Sequence, residues 1–214
     1  GQAWAVVRAG GRAVVQLLLV ALVVGAVLGS LPLTLTFLAF MATVASGTAA
    51  RRPTRARSGA WAALPVVAAS VPVVVLLVAS GLVPLTGTAL LPIGDILIGG
   101  AMTATVLAGR RALDALRTRH GEYEAGLAIG LLPRDAALLV ARDDTALALV
   151  PGLDQTRTVG LVTLPGAFVG MLLGGATPAQ AAAVQLVVLV GLLLVQSGSV
   201  LLVLELVARD RLHP

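Results

Sequence analysis

The side chains able to do chemistry in this 214-residue chain are few: ten acids, fifteen arginines and two histidines. Asp95 lies deepest in apolar sequence, within LPIGDILIGGAM (residues 91–102). An aspartate at the centre of a bilayer costs roughly 2.5–3.5 kcal/mol on insertion scales, so such acids tend to mark ion pathways. Pro92 places Asp95 in the first turn of a helix, where the dipole favours an acid and water is within reach. An interfacial acid and a cation-exit site are the two readings. Asp154 and Arg157, flanking Gln155, stand at i,i+3. They read either as a helix-start ion pair, worth roughly a few tenths of a kcal/mol, or as a gate where a cation enters. Asp143-Asp144 is a single acidic pair without a second cluster and reads as a solvated face. His120 and His213 are isolated, and Met41, Met102 and Met171 are scattered as packing residues usually are. No metal site follows. The absence of cysteine excludes a thiol nucleophile, a Cys-based zinc site and a disulfide. Gly166, Gly170 and Gly174 recur every four residues, the spacing that lets helices approach closely. Pro165 just before them is expected to break or kink its helix, as helices beside substrate paths often are.

The elements that carry these residues follow from composition. The chain is 58% hydrophobic and 12% charged, with a mean hydropathy of +1.00. A soluble domain carries about twice that charge, so this chain cannot clothe a water-facing surface. Three runs, 13–50, 58–94 and 158–204, hold no charge at all. Each exceeds the roughly 20 residues of one membrane crossing. Breaks at Ser30-Leu31-Pro32, 81–92 and 176–178 divide them into a hairpin over 13–50 and spans near 61–82, 92–109, 158–175 and 183–205. The expected fold is an all-α polytopic bundle of six transmembrane helices forming one domain over 1–214. Because the chain begins with glycine, a seventh, N-terminal helix is expected to precede it.

Alternating the spans places every arginine on one side: Arg8 and Arg12; Arg51, Arg52, Arg55 and Arg57; Arg110, Arg111, Arg117, Arg119, Arg134, Arg142 and Arg157; Arg209 and Arg211. The opposite connections are uncharged. The positive-inside rule makes the arginine side cytoplasmic in an inner (plasma) membrane, with Trp61 and Tyr123 near that interface. The net charge of +5 thus reflects membrane topology and calls for no nucleic-acid partner. Residues 110–157 form the one long connection. RRALDALRTRHGEYEAG extends the fourth span, Gly130 and Pro133 punctuate, and a short amphipathic helix starts near Arg134. Such a helix lies on the membrane surface or faces a partner.

One stretch carries a family likeness: LVPGLDQTRTVGLVTLPGAFVGMLLGGATPAQAAAVQ (residues 149–185) resembles the signature of the FetB-like permeases. GRAVVQLLLVALV (11–23), LPIGDILIGGAM (91–102) and GLLPRDAALLVARD (130–143) match in order across nearly the whole chain. The chain departs from the usual pattern at Gly94-Asp95, at Gly99-Gly100, at residues 129–132, and at Ala167 and Phe168, where methionines are common. The resemblance implies the membrane subunit of an ABC transporter linked to iron export, with plant relatives tied to aluminium tolerance. It further implies a homodimer of permeases in the lipid bilayer, served by a cytoplasmic ABC ATPase subunit that holds ATP and Mg. No GxxxxGK[ST] phosphate loop is present, so no cofactor is assigned to this chain and no enzymatic activity of its own is expected. The coupling contact with the ATPase is expected between Glu122 and Ala137, carried by Glu122, Glu124, Gly130, Pro133, Arg134 and Asp135. The path is expected along Asp95, Asp154, Gln155, Pro165 and Gly166. Another small solute as cargo, or an ATP-independent secondary carrier, are the alternatives. An intramembrane enzyme is disfavoured by the lack of HExxH, of a Ser–His or Ser–Lys pairing within the spans and of paired acidic clusters.

Overall fold

A run of apolar residues in lipid must satisfy its backbone internally, and the helix is the local way to do so. The computed structural model describes residues 2–54 and 56–213, leaving Arg55 outside the described residues. The expected break at Ser30 is where α1 (Gln2–Gly29) meets α2 (Leu31–Arg51). Ser30 is extended (φ −140°, ψ 116°), and Pro32 falls in the first turn of α2, where its missing N–H costs nothing. The Thr34 hydroxyl donates to the Val27 carbonyl at 2.6 Å and closes the hairpin. A 3-10 turn (Arg57–Ala62) leads into α3 (Ala63–Ala79), then α4 (Gly87–Thr118). The connection that follows holds α5 (His120–Ala128) and α6 (Pro133–Ala146), after which come α7 (Val150–Thr158), α8 (Gly166–Leu173) and α9 (Pro178–Ala208). Among the described residues five stretches are long and apolar enough to cross a membrane: 7–29, 31–51, 57–79, 87–118 and 178–208.

The core is built on α4. Gly87, Gly94, Ala101, Ala108 and Ala115 recur every seven residues and are all buried. Side chains this small let neighbouring backbones close in. Thr34 and the Leu28 carbonyl lie against Gly87, Leu38 against Gly94 and Pro53 against Gly109, so α2 runs parallel to α4. Gly100 meets Leu192 and Gln196, and Gly109 also meets Leu212, so α9 runs parallel as well. α3 is antiparallel to both, its Ala69 facing Gly198 and its Val73 and Leu77 facing Gly191. This handedness of travel gathers the arginine-bearing ends of α2, α4 and α9 at one end of the bundle. There Arg110 Nε donates to the Arg52 carbonyl at 3.1 Å, and the Arg211 guanidinium lies 5.4 Å from the Trp61 ring centre.

Three expectations about the spans are corrected, and the expected six crossings become five among the described residues. Residues 158–175 are not one continuous crossing: the chain turns between Thr158 and Pro165, where the Gly160 N–H bonds the Thr163 carbonyl at 2.8 Å. Gly160 takes φ +80°, which a side chain would oppose, and Pro165 has no N–H to continue a helix. The eight residues of α8 rise about 12 Å, well short of a hydrocarbon core of about 30 Å. α4, in turn, starts at Gly87 and not at Pro92. The extended Thr86 accepts from the N–H groups of Ala89 and Leu90 through its carbonyl, and Pro92 falls inside the helix. The start of α9 lies upstream of the expected span, fixed by a capping box between Thr177 and Gln180.

Candidate functional site

At the uncharged end of the bundle, α8 leans across the first turns of α4 and α9. A cavity of about 680 Å³ opens between them and the α3–α4 connection. Asp95, Thr86, Thr88, Gly166, Gly170 and Met171 line it. Two residues expected along one path, Asp95 and Gly166, thus share a single cavity, with Pro165 adjacent to Gly166. Asp95 is exposed and forms no ion pair with any described residue. The earlier start of α4 puts it two turns into the helix, past the first-turn reach of the dipole. No group of three His, Asp or Glu side chains gathers among the described residues.

The glycine stripe does not pack helices within this chain. No other described atom lies within 4 Å of where a Cβ would stand at Gly166 or Gly170, and at Gly174 only carbonyls of α8 itself do. Close approaches on α4 fall at Gly87, Gly94, Gly100 and Gly109, and for Gly87 and Gly94 the seven-residue rhythm with Ala101, Ala108 and Ala115 is the signal in the sequence.

Asp154 and Gln155 do not line that cavity; they stand on α7. Gly152 of α7 abuts the Gln196 side chain of α9. Gln196 lies nine residues, about 13 Å, above Glu205, and Glu205 marks the arginine-rich end. The Asp154–Arg157 ion pair (3.7 Å) therefore begins well inside the span region, not at its arginine-rich boundary, and both partners are exposed. Gln196 Oε1 is buried and has no hydrogen-bond partner among the described residues, as is Gln185 Oε1. A buried carbonyl oxygen without a partner in a dry helix contact is costly, and that of Gln196 lies against Gly152 in the first turn of α7.

The arginine-rich end carries a layer made by the overrun of α4 with α5 and α6. Gly130 (φ +92°) turns the chain and Pro133 opens α6. Gly126 lets α5 approach Ala136 of α6. Arg119 grips Glu122 with two bonds (2.8 and 2.6 Å), and also reaches the Val140 carbonyl (2.9 Å) and Asp144 (3.3 Å). This guanidinium holds the Glu122 carboxyl below its ordinary range. Glu124 pairs with His120 at 3.3 Å. Arg134 sends a two-pronged fork to Glu205 (2.9 and 2.8 Å) and contacts Asp135 at 3.2 Å, while Arg209 holds the same Glu205. The layer is thus tied directly to α9. Arg119 and Glu205 were missed as members of this group. The i,i+3 and i,i+4 spacings of Arg119–Glu122 and Glu205–Arg209 were legible, but the 71-residue separation of Arg134 and Glu205 was not. At the far edge of the layer, Ile129 (80%), Leu132 (68%) and Leu139 (66%) are exposed apolar side chains.

A multi-pass helical membrane protein with a broken helix beside an acid-bearing cavity, and a charged layer anchored to a span, is the class these features define. The chain belongs to the UPF0014 family, described as an uncharacterised protein family, whose profile matches residues 1–212. It is similar to the UPF0014 membrane protein STAR2 of Oryza sativa subsp. japonica, 36% identical over 151 residues, which is 70% of this chain and 53% of the relative. Protein ALUMINUM SENSITIVE 3 of Arabidopsis thaliana is likewise 36% identical over 151 residues, 70% of this chain and 55% of its own length. The probable iron export permease protein FetB of Escherichia coli (strain K12) is 29% identical over 204 residues, covering 93% of this chain and 78% of the relative. The chain spans about half the length of the two plant relatives it matches. No solved structure matches it.

Proposed function

We propose that this chain is the membrane-spanning permease subunit of an ABC transporter, exporting iron or a related metal cation. A separate cytoplasmic ATPase subunit would bind ATP and Mg and supply the power. The observation that carries this reading is the pairing of two features on one frame. A helix broken at 159–165 leads to the cavity of Asp95, and a charged layer is bolted to α9 through Arg134 and Glu205. Closure of an ATPase dimer against α5 and α6 would pull on α9, one wall of that cavity. The cation would meet hard oxygen ligands there, the Asp95 carboxylate and the Thr86 and Thr88 hydroxyls, which suit a hard ion. Polar groups at span depth are expensive when they face lipid. The exposed Asp154, Gln155 and Arg157 are therefore read as facing a path shared with a second permease copy. The arginine-rich end would face the cytoplasm of an inner membrane.

The test is co-purification of the intact protein with its candidate ATPase subunit. Ile129→Asp with Leu132→Asp alters the exposed rim of the layer without touching an ion pair, and should abolish capture. The Arg134→Glu, Asp135→Arg exchange should weaken it. In proteoliposomes holding both subunits, ATP-dependent iron movement should fall with Asp95→Asn. If the unaltered protein holds no ATPase, the ABC reading fails. Capture without iron movement would retain the assembly and overturn the cargo.

A further inference from the structure

A second cavity, of about 400 Å³, lies at the opposite end of α4 from Asp95, on the overrun of α4 and away from the contacts of α5 and α6 described above. Its lining includes Arg110, Arg111, Arg117, Asp114, Pro53 and Thr54. Three guanidiniums face one carboxylate. Arg111 and Arg117 form no ion pair among the described residues, and Arg110 gives only its Nε to the Arg52 carbonyl. Glu122 and Asp144 are committed to Arg119 and Glu205 to Arg134 and Arg209, which leaves Asp114 as the one carboxylate lining the cavity. Unpaired cations gathered in one concavity repel each other, and an anion relieves that cost.

The position of the cavity selects the kind of anion. α4 carries no charge from Ile96 to Gly109, and Arg110 follows at once. Pro53, which lines the cavity, packs against Gly109 at that boundary. The nearby Trp61, lying under the Arg211 guanidinium, is the aromatic type that favours the headgroup level. Planar guanidiniums bind phosphate oxygens in pairs, and basic pockets between spans at this depth suit lipid headgroups. We infer that the cavity of Arg110, Arg111 and Arg117 binds the phosphate of an anionic phospholipid from the leaflet at the arginine-rich end. The inference does not depend on the transport reading.

The intact protein in mild detergent would be titrated with phosphatidylglycerol, and binding counted by native mass spectrometry. Phosphatidylcholine and inorganic phosphate form the comparison arms. At about 1 kcal/mol for each arginine near a charged surface, Arg110→Gln, Arg111→Gln and Arg117→Gln together should weaken phosphatidylglycerol binding by at least about tenfold. Phosphatidylcholine binding should not change. A variant that removes the same charge elsewhere, Arg8→Gln with Arg12→Gln and Arg57→Gln, should bind as the unaltered protein does. If the triple variant does not fold, Arg111→Gln alone, at an exposed position, should still cost about three- to fivefold. Unchanged binding in the pocket variants, or equal loss in the displaced-charge variant, would overturn the site. Displacement of the lipid by millimolar inorganic phosphate would overturn the lipid as its ligand in favour of a soluble phosphate.

Discussion

The fork between Arg134 and Glu205 is the only ion pair between the charged layer and a long span among the described residues, and its strength follows from its geometry. Two unit charges about 4 Å apart attract by roughly 4 kcal/mol at an effective dielectric near 20. Arg134 is 46% and Glu205 32% exposed, so water screens most of that, and exposed pairs are worth about 0.2–1 kcal/mol. Two parallel bonds of 2.9 and 2.8 Å place this pair among the stronger exposed ones. The losses should be unequal. Arg134→Gln leaves Glu205 with Arg209, whereas Glu205→Gln strips both arginines and leaves Arg134 only Asp135. The four members of the double-mutant cycle would be heated in detergent and their folded fraction read by size exclusion. Glu205→Gln should lower the midpoint by about 2–4 °C, Arg134→Gln by less, and the double variant by scarcely more than Glu205→Gln. About 1 M salt should erase most of the difference. Equal losses from the two single variants, or additive losses in the double, would refute the shared-carboxylate account.

Gly87→Ala places a methyl 2.5 Å from Thr34 Oγ1 and 2.7 Å from the Leu28 carbonyl oxygen, neither of which is a flexible chain end, and should cost about 1–3 kcal/mol in thermal stability. Gly166→Ala meets open space and should stay within about 0.5 kcal/mol, so similar losses at both would contradict the packing described. Thr34→Val keeps the volume but removes the donor to the Val27 carbonyl, costing about 1 kcal/mol; faster hydrogen exchange near the α1–α2 turn would report it. Glu122 has its carboxyl held below its ordinary value of 4.5 by Arg119. Its contribution is complete above that value and lost as pH falls through the lower, folded one. Protection of the α5 amides, taken against their intrinsic exchange rates, should therefore fall at acid pH in the unaltered protein, and Glu122→Gln should lower that protection at neutral pH and flatten the acid response.

Local chemistry accounts for much of the architecture. The charge-free runs announce a membrane bundle because lipid tolerates no unsatisfied backbone, and Ser30 with Pro32, Gly130 with Pro133, and the overrun of α4 past Arg110 are all readable from residues within a turn of one another. Proline does not always mark a helix start: Pro92 sits inside α4, whose first residue is Gly87. Hydropathy is a sum over a window, insensitive to where the backbone turns, and so the stretch 158–175 reads as a span although Gly160 and Pro165 divide it.

The candidate site divides along the same line. Asp95 and Gly166 were each legible as residues of interest, one as an acid in apolar sequence and the other beside a proline. That they face one cavity depends on α8 leaning over α4 and α9. The glycines at 166, 170 and 174 carry the better-known spacing, yet Gly87, Gly94 and Gly109 are the crowded ones, because crowding is a property of the neighbour and not of the stripe. The sequence by itself determined the membrane class, the gathering at one end of the arginines that follow α2, α4 and α9, though not the place of Arg157, and the position of the amphipathic helix α6, since each is encoded within a few consecutive residues. Only the tertiary structure decided that Arg134 reaches Glu205 and that Arg110, Arg111 and Arg117 surround a cavity with Pro53. Those partners are brought within reach by the parallel packing of α2, α4 and α9, which no local pattern specifies.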